Sequence, residues 1–272
     1  MPTIPPAPPL PPISCFIKSN LIDQNNNSKF IANKVEFKVC LWAINDPELQ
    51  RACFFARTCL DSSPKECSYM KVNPILQTGP TCGLCALSML YCGYPTADEL
   101  LQKAIKLKYS NNGEMFSANW LLQLLKDNLS TASVKLPERI RSYIYDGTLD
   151  SDFIKEKLRQ HCMLLVPYDA DKNHSPCMLN GHKAHWTLIC GYLIDDSGDF
   201  HVFARHGKTK NLGLFSLKNL SDSNSNLTEF AQPEWHPNDI FLLPDGGIDG
   251  NLGLKCKSIV VEGLSNEIVK VV

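Results

Sequence analysis

The most reactive placement in this chain is a cysteine delivered by a Gly-Pro turn onto the start of an apolar helix. It lies in Gln77-Thr78-Gly79-Pro80-Thr81-Cys82-Gly83-Leu84-Cys85-Ala86-Leu87. There the unpaired backbone N–H groups and the positive end of the helix dipole favour thiolate over thiol. A thiolate is the form that attacks a carbonyl. Gln77 precedes Cys82 by five residues; its amide, with the Cys82 backbone N–H, makes a pair of donors for an oxyanion. The matching half is Gly181-His182-Lys183-Ala184-His185-Trp186-Thr187-Leu188-Ile189-Cys190-Gly191-Tyr192. His185 abuts a strand-like run whose pairing would fix its backbone, and an imidazole titrating near neutrality suits a general base. His182 is the rival and reads as a surface histidine.

A third, orienting group is left open by the residues. The strand after the histidine strand ends Phe203-Ala204-Arg205-His206-Gly207-Lys208, so His206 stands where an Asn or Asp would be sought, with Asn211 further along. Arg205, Lys208 and Lys210 form a small basic cluster suited to an acidic peptide, although such clusters are usually solvated loop surface. Cys82 and Cys85 also make a C-x-x-C. No second pair completes a zinc site, and no strand-first setting makes it a redox dithiol, so Cys85 reads as packing. Neither a metal nor another cofactor is called for.

The positioning elements follow from caps and periodicity. Asp46-Pro47 starts a helix running through Cys59. The stretch 61–68 breaks the pattern. The Cys82 helix carries Leu84, Leu87, Ser88 and Tyr91 at helical spacing and stops at Gly93. Thr96-Ala97-Asp98-Glu99 is a capping box opening a helix to about residue 109, and another helix fits 116–129. After Asp150-Ser151, residues 153–161 read as helix and 162–167 as strand. Strands fit 186–194 and 200–205 across the turn 195–199, then 240–243 and 258–261. Helices first and strands later give an α+β fold, with the cysteine helix of the N-terminal half packed on a C-terminal antiparallel sheet.

At 272 residues and a net charge of −1, one catalytic domain suffices and no broad nucleic-acid footprint is present. No run of about 18 apolar residues exists to span a membrane. Pro5-Pro6-Ala7-Pro8-Pro9-Leu10-Pro11-Pro12 favours polyproline II and offers P-x-x-P registers to an aromatic groove. The organisation expected is a disordered proline-rich leader over 1–30 and a peptidase domain over 31–272. The N-terminus lacks a secretory pattern, so a cytoplasmic protein is expected. Its 12 cysteines then remain thiols, with Cys40, Cys53, Cys59, Cys92, Cys162 and Cys190 among apolar neighbours as small buried hydrophobes.

Cysteine first and histidine later is the chain order of papain-like peptidases. Thr78-Gly79-Pro80-Thr81-Cys82-Gly83-Leu84, Gly181-His182-Lys183-Ala184-His185-Trp186 and the stretch 220–230 together resemble the actin maturation protease family, over most of 35–262. The resemblance implies a papain-like cytosolic cysteine aminopeptidase that removes the acetylated N-terminal Met or Cys of immature actin and exposes an acidic residue. It carries over Cys82 as nucleophile and His185 as base, and places Gln77 at a polar position before the cysteine. It also implies profilin as a partner of Pro5–Pro12, and actin's acidic N-terminus as what Arg205, Lys208 and Lys210 would meet. A papain-like peptidase with another protein substrate, and a catalytically inactive scaffold for profilin or actin, are the alternatives.

Overall fold

A computed structural model describes residues 40–129, 140–234 and 237–271. The Pro5–Pro12 run and the expected domain start near residue 30 lie outside the described residues.

Helix α1 (Pro47–Ala56) begins as its sequence dictates, with the Asp46 carboxylate accepting from the Leu49 N–H and Pro47 in the first turn. It ends before Cys59 because Arg57 turns left-handed. Helix α2 (Cys82–Leu90) is buried from Gly83 to Leu90. The capping box forms: the Thr96 hydroxyl accepts from the Glu99 N–H and the Glu99 carboxylate accepts from the Thr96 N–H, opening α3 (Ala97–Lys106). Helices α4 (Ala118–Leu129), α5 (Asp152–Arg159, capped by Ser151) and α6 (Leu217–Ser225) follow.

The strands are β1 (Glu66–Met70), β2 (Arg141–Asp146), β3 (Met163–Ala170), β4 (Pro176–Cys177), β5 (Ala184–Ile194), β6 (Phe200–Arg205), β7 (Gly213–Ser216), β8 (Lys257–Glu262) and β9 (Ile268–Lys270). All pair antiparallel in one sheet, ordered β2-β8-β3-β5-β1-β9, with β4 on β3 and β6-β7 branching from β5. The hub is β5. It pairs β3 along 184–189 and β1 along 191–194, while β6 pairs it along 188–194 past a bulge between Ile189 and Gly191.

Burial on both faces explains why β3 and β5 read as continuous apolar runs rather than alternating ones. The pleat still sorts them. Met163 and Leu165 of β3 join the core under α1 to α4, and Leu164, Val166 and Tyr168 join the opposite core under α5 and α6.

The α+β class and the packing of the cysteine helix against the sheet are therefore present, with corrections. The break expected over 61–68 contains the start of β1, a central strand buried along most of its length. The strand expected at 240–243 is irregular chain, because the Ile240 carbonyl accepts from the Asn111 and Asn112 side-chain amides and the Leu242 N–H is donated to Glu114. Cys92, expected buried, follows the end of α2 in a left-handed turn and is exposed. No helix of the described residues is long and apolar enough to cross a membrane.

Candidate active site

Cys82 is the first residue of α2, and the helix has no side-chain cap competing for its first N–H groups. The Thr81 hydroxyl instead donates to the Thr78 carbonyl at 2.8 Å and closes the turn that delivers the cysteine. Gly83 lets this turn meet the histidine strand: a Cβ there would lie 3.0 Å from the Met115 Cβ and 3.1 Å from the Trp186 Cδ1. The Trp186 ring is locked in place by an Nε1–H bond to the Met115 carbonyl at 2.7 Å. Burial raises the Cys82 thiol pKa, outweighing the lowering influence of the Trp186 N–H, the Lys208 charge and the helix N–H groups. The helix-terminus benefit read from sequence is present but does not prevail in the resting site.

His185 sits on β5 opposite Tyr168 of β3, whose ring meets the imidazole edge-on with centroids 5.7 Å apart. Its Nε2 lies 2.6 Å from the His206 main-chain carbonyl. A carbonyl only accepts, so Nε2 carries the proton and Nδ1 keeps its lone pair. Burial lowers the His185 pKa to about 4. Of the two residues left open for an orienting role, His206 meets His185 through its main-chain carbonyl. The His206 ring is itself buried, with its pKa lowered to about 3 and its Nδ1 accepting from the Lys208 N–H. Asn211 shapes the following turn, its N–H and carbonyl both bonded to the Thr209 hydroxyl.

Cys82, His185 and Gln77 line one cleft of about 840 Å³, together with Lys208, Trp186 and His174. Gln77 is tied down there: its backbone N–H donates to the Gly207 carbonyl and its Nε2 to the Gly79 carbonyl, each at 2.8 Å. The basic cluster divides. Lys208 is exposed and faces the cleft. Arg205 does not, because its side chain is only 3% exposed and its guanidinium forms an ion pair with Glu48 of α1 at 2.7 Å. It also donates to the Lys210 carbonyl. Arg205 is a strut between α1 and β6, and Lys210 lies on the exposed surface outside the lining. His182, read as a surface residue, is exposed on the rim and pairs with Glu229 at 2.7 Å.

Cys85 is buried as expected, its thiol donating to the Ile75 carbonyl and its pKa pushed up to about 12 by burial. Sequence reasoning missed Asp169 at the end of β3. Its buried carboxylate accepts from the backbone N–H groups of Leu179, Gly181 and Lys183, which shapes the loop leading into His185. Its signal was weak, one aspartate at the end of an apolar strand. The cleft aromatics Phe116, Phe230 and Phe241 were missed too, because three separate segments supply them.

This site lies largely within a stretch with known counterparts. Residues 72–193 match the family described as actin maturation protease-like, C-terminal domain. The chain is 48% identical over 241 residues to the actin maturation protease of Drosophila melanogaster, covering 89% of this chain and 88% of that protein. The chain belongs to the actin maturation protease family. More distant members include that of Mus musculus, 28% identical over 222 residues (65% of this chain, 59% of the relative). That of Danio rerio is 27% identical over 220 residues (66% and 70%). The family match takes in Cys82, Gln77, Asp169 and His185 and ends before the Lys208 turn.

Proposed function

We propose that this protein is a papain-like cysteine aminopeptidase that removes the N-acetylated N-terminal Met or Cys from immature actin and exposes the acidic residue that follows. The observation that carries the reading is the cleft shared by Cys82 and a histidine whose Nε2–H is committed to the His206 carbonyl. Membership in a family whose members are named actin maturation protease supports the substrate.

In this reading the Nδ1 lone pair of His185 takes the Cys82 proton as sulfur attacks the scissile carbonyl carbon. The carbonyl π pair moves to oxygen, and the Cys82 N–H with the second Nε2 hydrogen of Gln77 receives the oxyanion. Collapse expels the peptide nitrogen, which takes the proton from His185, and leaves a thioester on Cys82. Water, losing a proton to His185, then hydrolyses it. A resting pair held neutral by burial fits this sequence, since charge separation develops only as substrate displaces water and supplies dipoles. Lys208 is an exposed cleft cation suited to the acidic residues that follow the scissile bond. The peptidase domain is proposed to span 31–272, with the leader's Pro5–Pro12 run engaging profilin in the cytoplasm.

A peptide panel tests the reaction and its substrate class. Peptides with an N-acetylated Met or Cys ahead of acidic residues should be trimmed by the wild-type chain and left intact by Cys82→Ala. Cleavage of unrelated sequences at equal rates would assign a general peptidase, and no cleavage of any peptide by folded protein would remove the enzymatic reading.

A further inference from the structure

One wall of the cleft is aromatic, and three separate parts of the chain build it. Phe116 precedes α4, Phe230 follows α6, and Phe241 stands in the irregular segment before β8. Their rings meet pairwise with centroids 5.1, 5.8 and 6.3 Å apart. All three are half-buried and line the cleft, with Met115 and Leu254 beside them. Apolar rings left partly open to water inside a cleft are the usual lining of a ligand subsite.

The wall is rigidly supported. On either side of Phe241, the Ile240 carbonyl accepts from Asn111 and Asn112, and the Leu242 N–H is donated to Glu114. Glu114 is buried and also accepts from Ser110, Asn111 and Asn112. Its carboxylate is therefore occupied in holding the wall. The wall adjoins the Cys82 turn through Met115, whose Cβ faces Gly83 and whose carbonyl accepts from the Trp186 ring N–H.

We infer that Phe116, Phe230 and Phe241 form the subsite for the side chain of the residue being removed, and that it selects an unbranched apolar group of the methionine class. This rests on Cys82 being the nucleophile and on the leader being the released group. The direction follows from proton transfer. His185 must return its proton to the leaving nitrogen, so the leaving peptide lies on the imidazole side. Lys208 stands on that side, its N–H bonded to the His206 ring and its charge acting on His185. The aromatic wall is left to the acyl side. A flexible thioether fills an irregular aromatic pocket well and gains from sulfur contacts at ring edges. A polar isostere such as glutamine would exchange the hydration of its amide for contact with aromatic rings, at a cost.

Binding to the full-length Cys82→Ala protein, measured by isothermal titration calorimetry, tests this without turnover. The probes are two peptides identical except for N-acetyl-Met or N-acetyl-Gln at the first position. The expected result is at least about tenfold tighter binding of the Met peptide. That ratio should shrink towards one in Phe241→Ala and Phe230→Ala and be largely kept in the conservative Phe241→Leu. Lys208→Gln should weaken both peptides alike and leave the ratio unchanged. Equal binding of the two peptides, no measurable binding of either, or a ratio unmoved in folded Phe variants overturns the subsite. If the ratio holds but wild-type protein cleaves neither peptide, the reaction assignment fails while the subsite stands. If wild type cleaves both with equal kcat/KM and the ratio is one, the subsite fails while the reaction stands.

Discussion

His185 is held by a carbonyl that no side-chain substitution at 206 removes. The proposed mechanism therefore separates side chains that matter from side chains that only sit nearby. Peptide turnover by His206→Ala and by Asn211→Ala should stay within about tenfold of wild type, while Cys82→Ala and His185→Ala should lose about 10³-fold or more. A loss in His206→Ala as large as in His185→Ala would make the 206 ring the orienting group. The same imidazoles set a pH dependence of stability. Both have folded pKa values below the ordinary 6.5, near 4 for His185 and near 3 for His206. As pH falls below about 6.5, the unfolded chain takes up protons that the folded chain refuses, so stability falls. Thermal unfolding should show Tm declining steadily from pH 7 towards pH 4, and a flat Tm would contradict their burial as neutral groups. The two arginine- and lysine-bearing positions at 205 and 208 should respond differently. Arg205→Ala leaves Glu48 without its partner and should cost about 1–3 kcal/mol in chemical denaturation, less than a fully buried pair because Glu48 is partly exposed. Lys208→Glu should leave stability alone and raise KM for acidic peptides; unchanged turnover would remove Lys208 from substrate recognition.

At the scale of elements, the loop between β4 and β5 depends on Asp169. Three backbone N–H groups converge on its carboxylate, and nearby Asn180 ties the loop to the 226–229 segment. Gly181 is required where the two meet: its φ is +102°, and a Cβ would lie 2.5 Å from the Glu229 carbonyl oxygen. Asp169→Asn places an amide NH₂ against at least one backbone donor and should destabilise the fold by about 1–3 kcal/mol while lowering kcat. A stable variant with unchanged kcat would show that the loop holds itself. The elements that announce themselves in the sequence are those with local signals, such as Asp46-Pro47, the Thr96–Glu99 box and Ser151. Helix α6 is hard to read because Ser221, Ser223 and Asn224, polar residues in its sequence, are buried. Asn224 bonds the Pro167 and Lys257 carbonyls, and Ser223 bonds the Cys177 carbonyl and the Asp169 N–H. Strand β1 was illegible for a related reason, since residues 61–65 before it mark a turn and its own cysteine, tyrosine and methionine lack alternation.

For the whole molecule, the sequence separates the two halves of the site widely and the sheet brings them together. Packing α2 against β5 seats the Cys82 turn beside Trp186, so the pairing of the two motifs was legible from their residue types. The His206 carbonyl, the inward turn of Arg205 and the aromatic wall were not, since a backbone acceptor, a buried ion pair and a three-segment cluster leave no local pattern. In the proposed function this cleft, through Cys82, matures the N-terminus of actin. Its most direct test is mass spectrometry of immature, N-acetylated actin after incubation with wild-type protein or Cys82→Ala, profilin present in both. Loss of the acetylated leader is expected with wild type alone. An actin mass unchanged by folded wild-type protein, or lowered equally by Cys82→Ala, would contradict it.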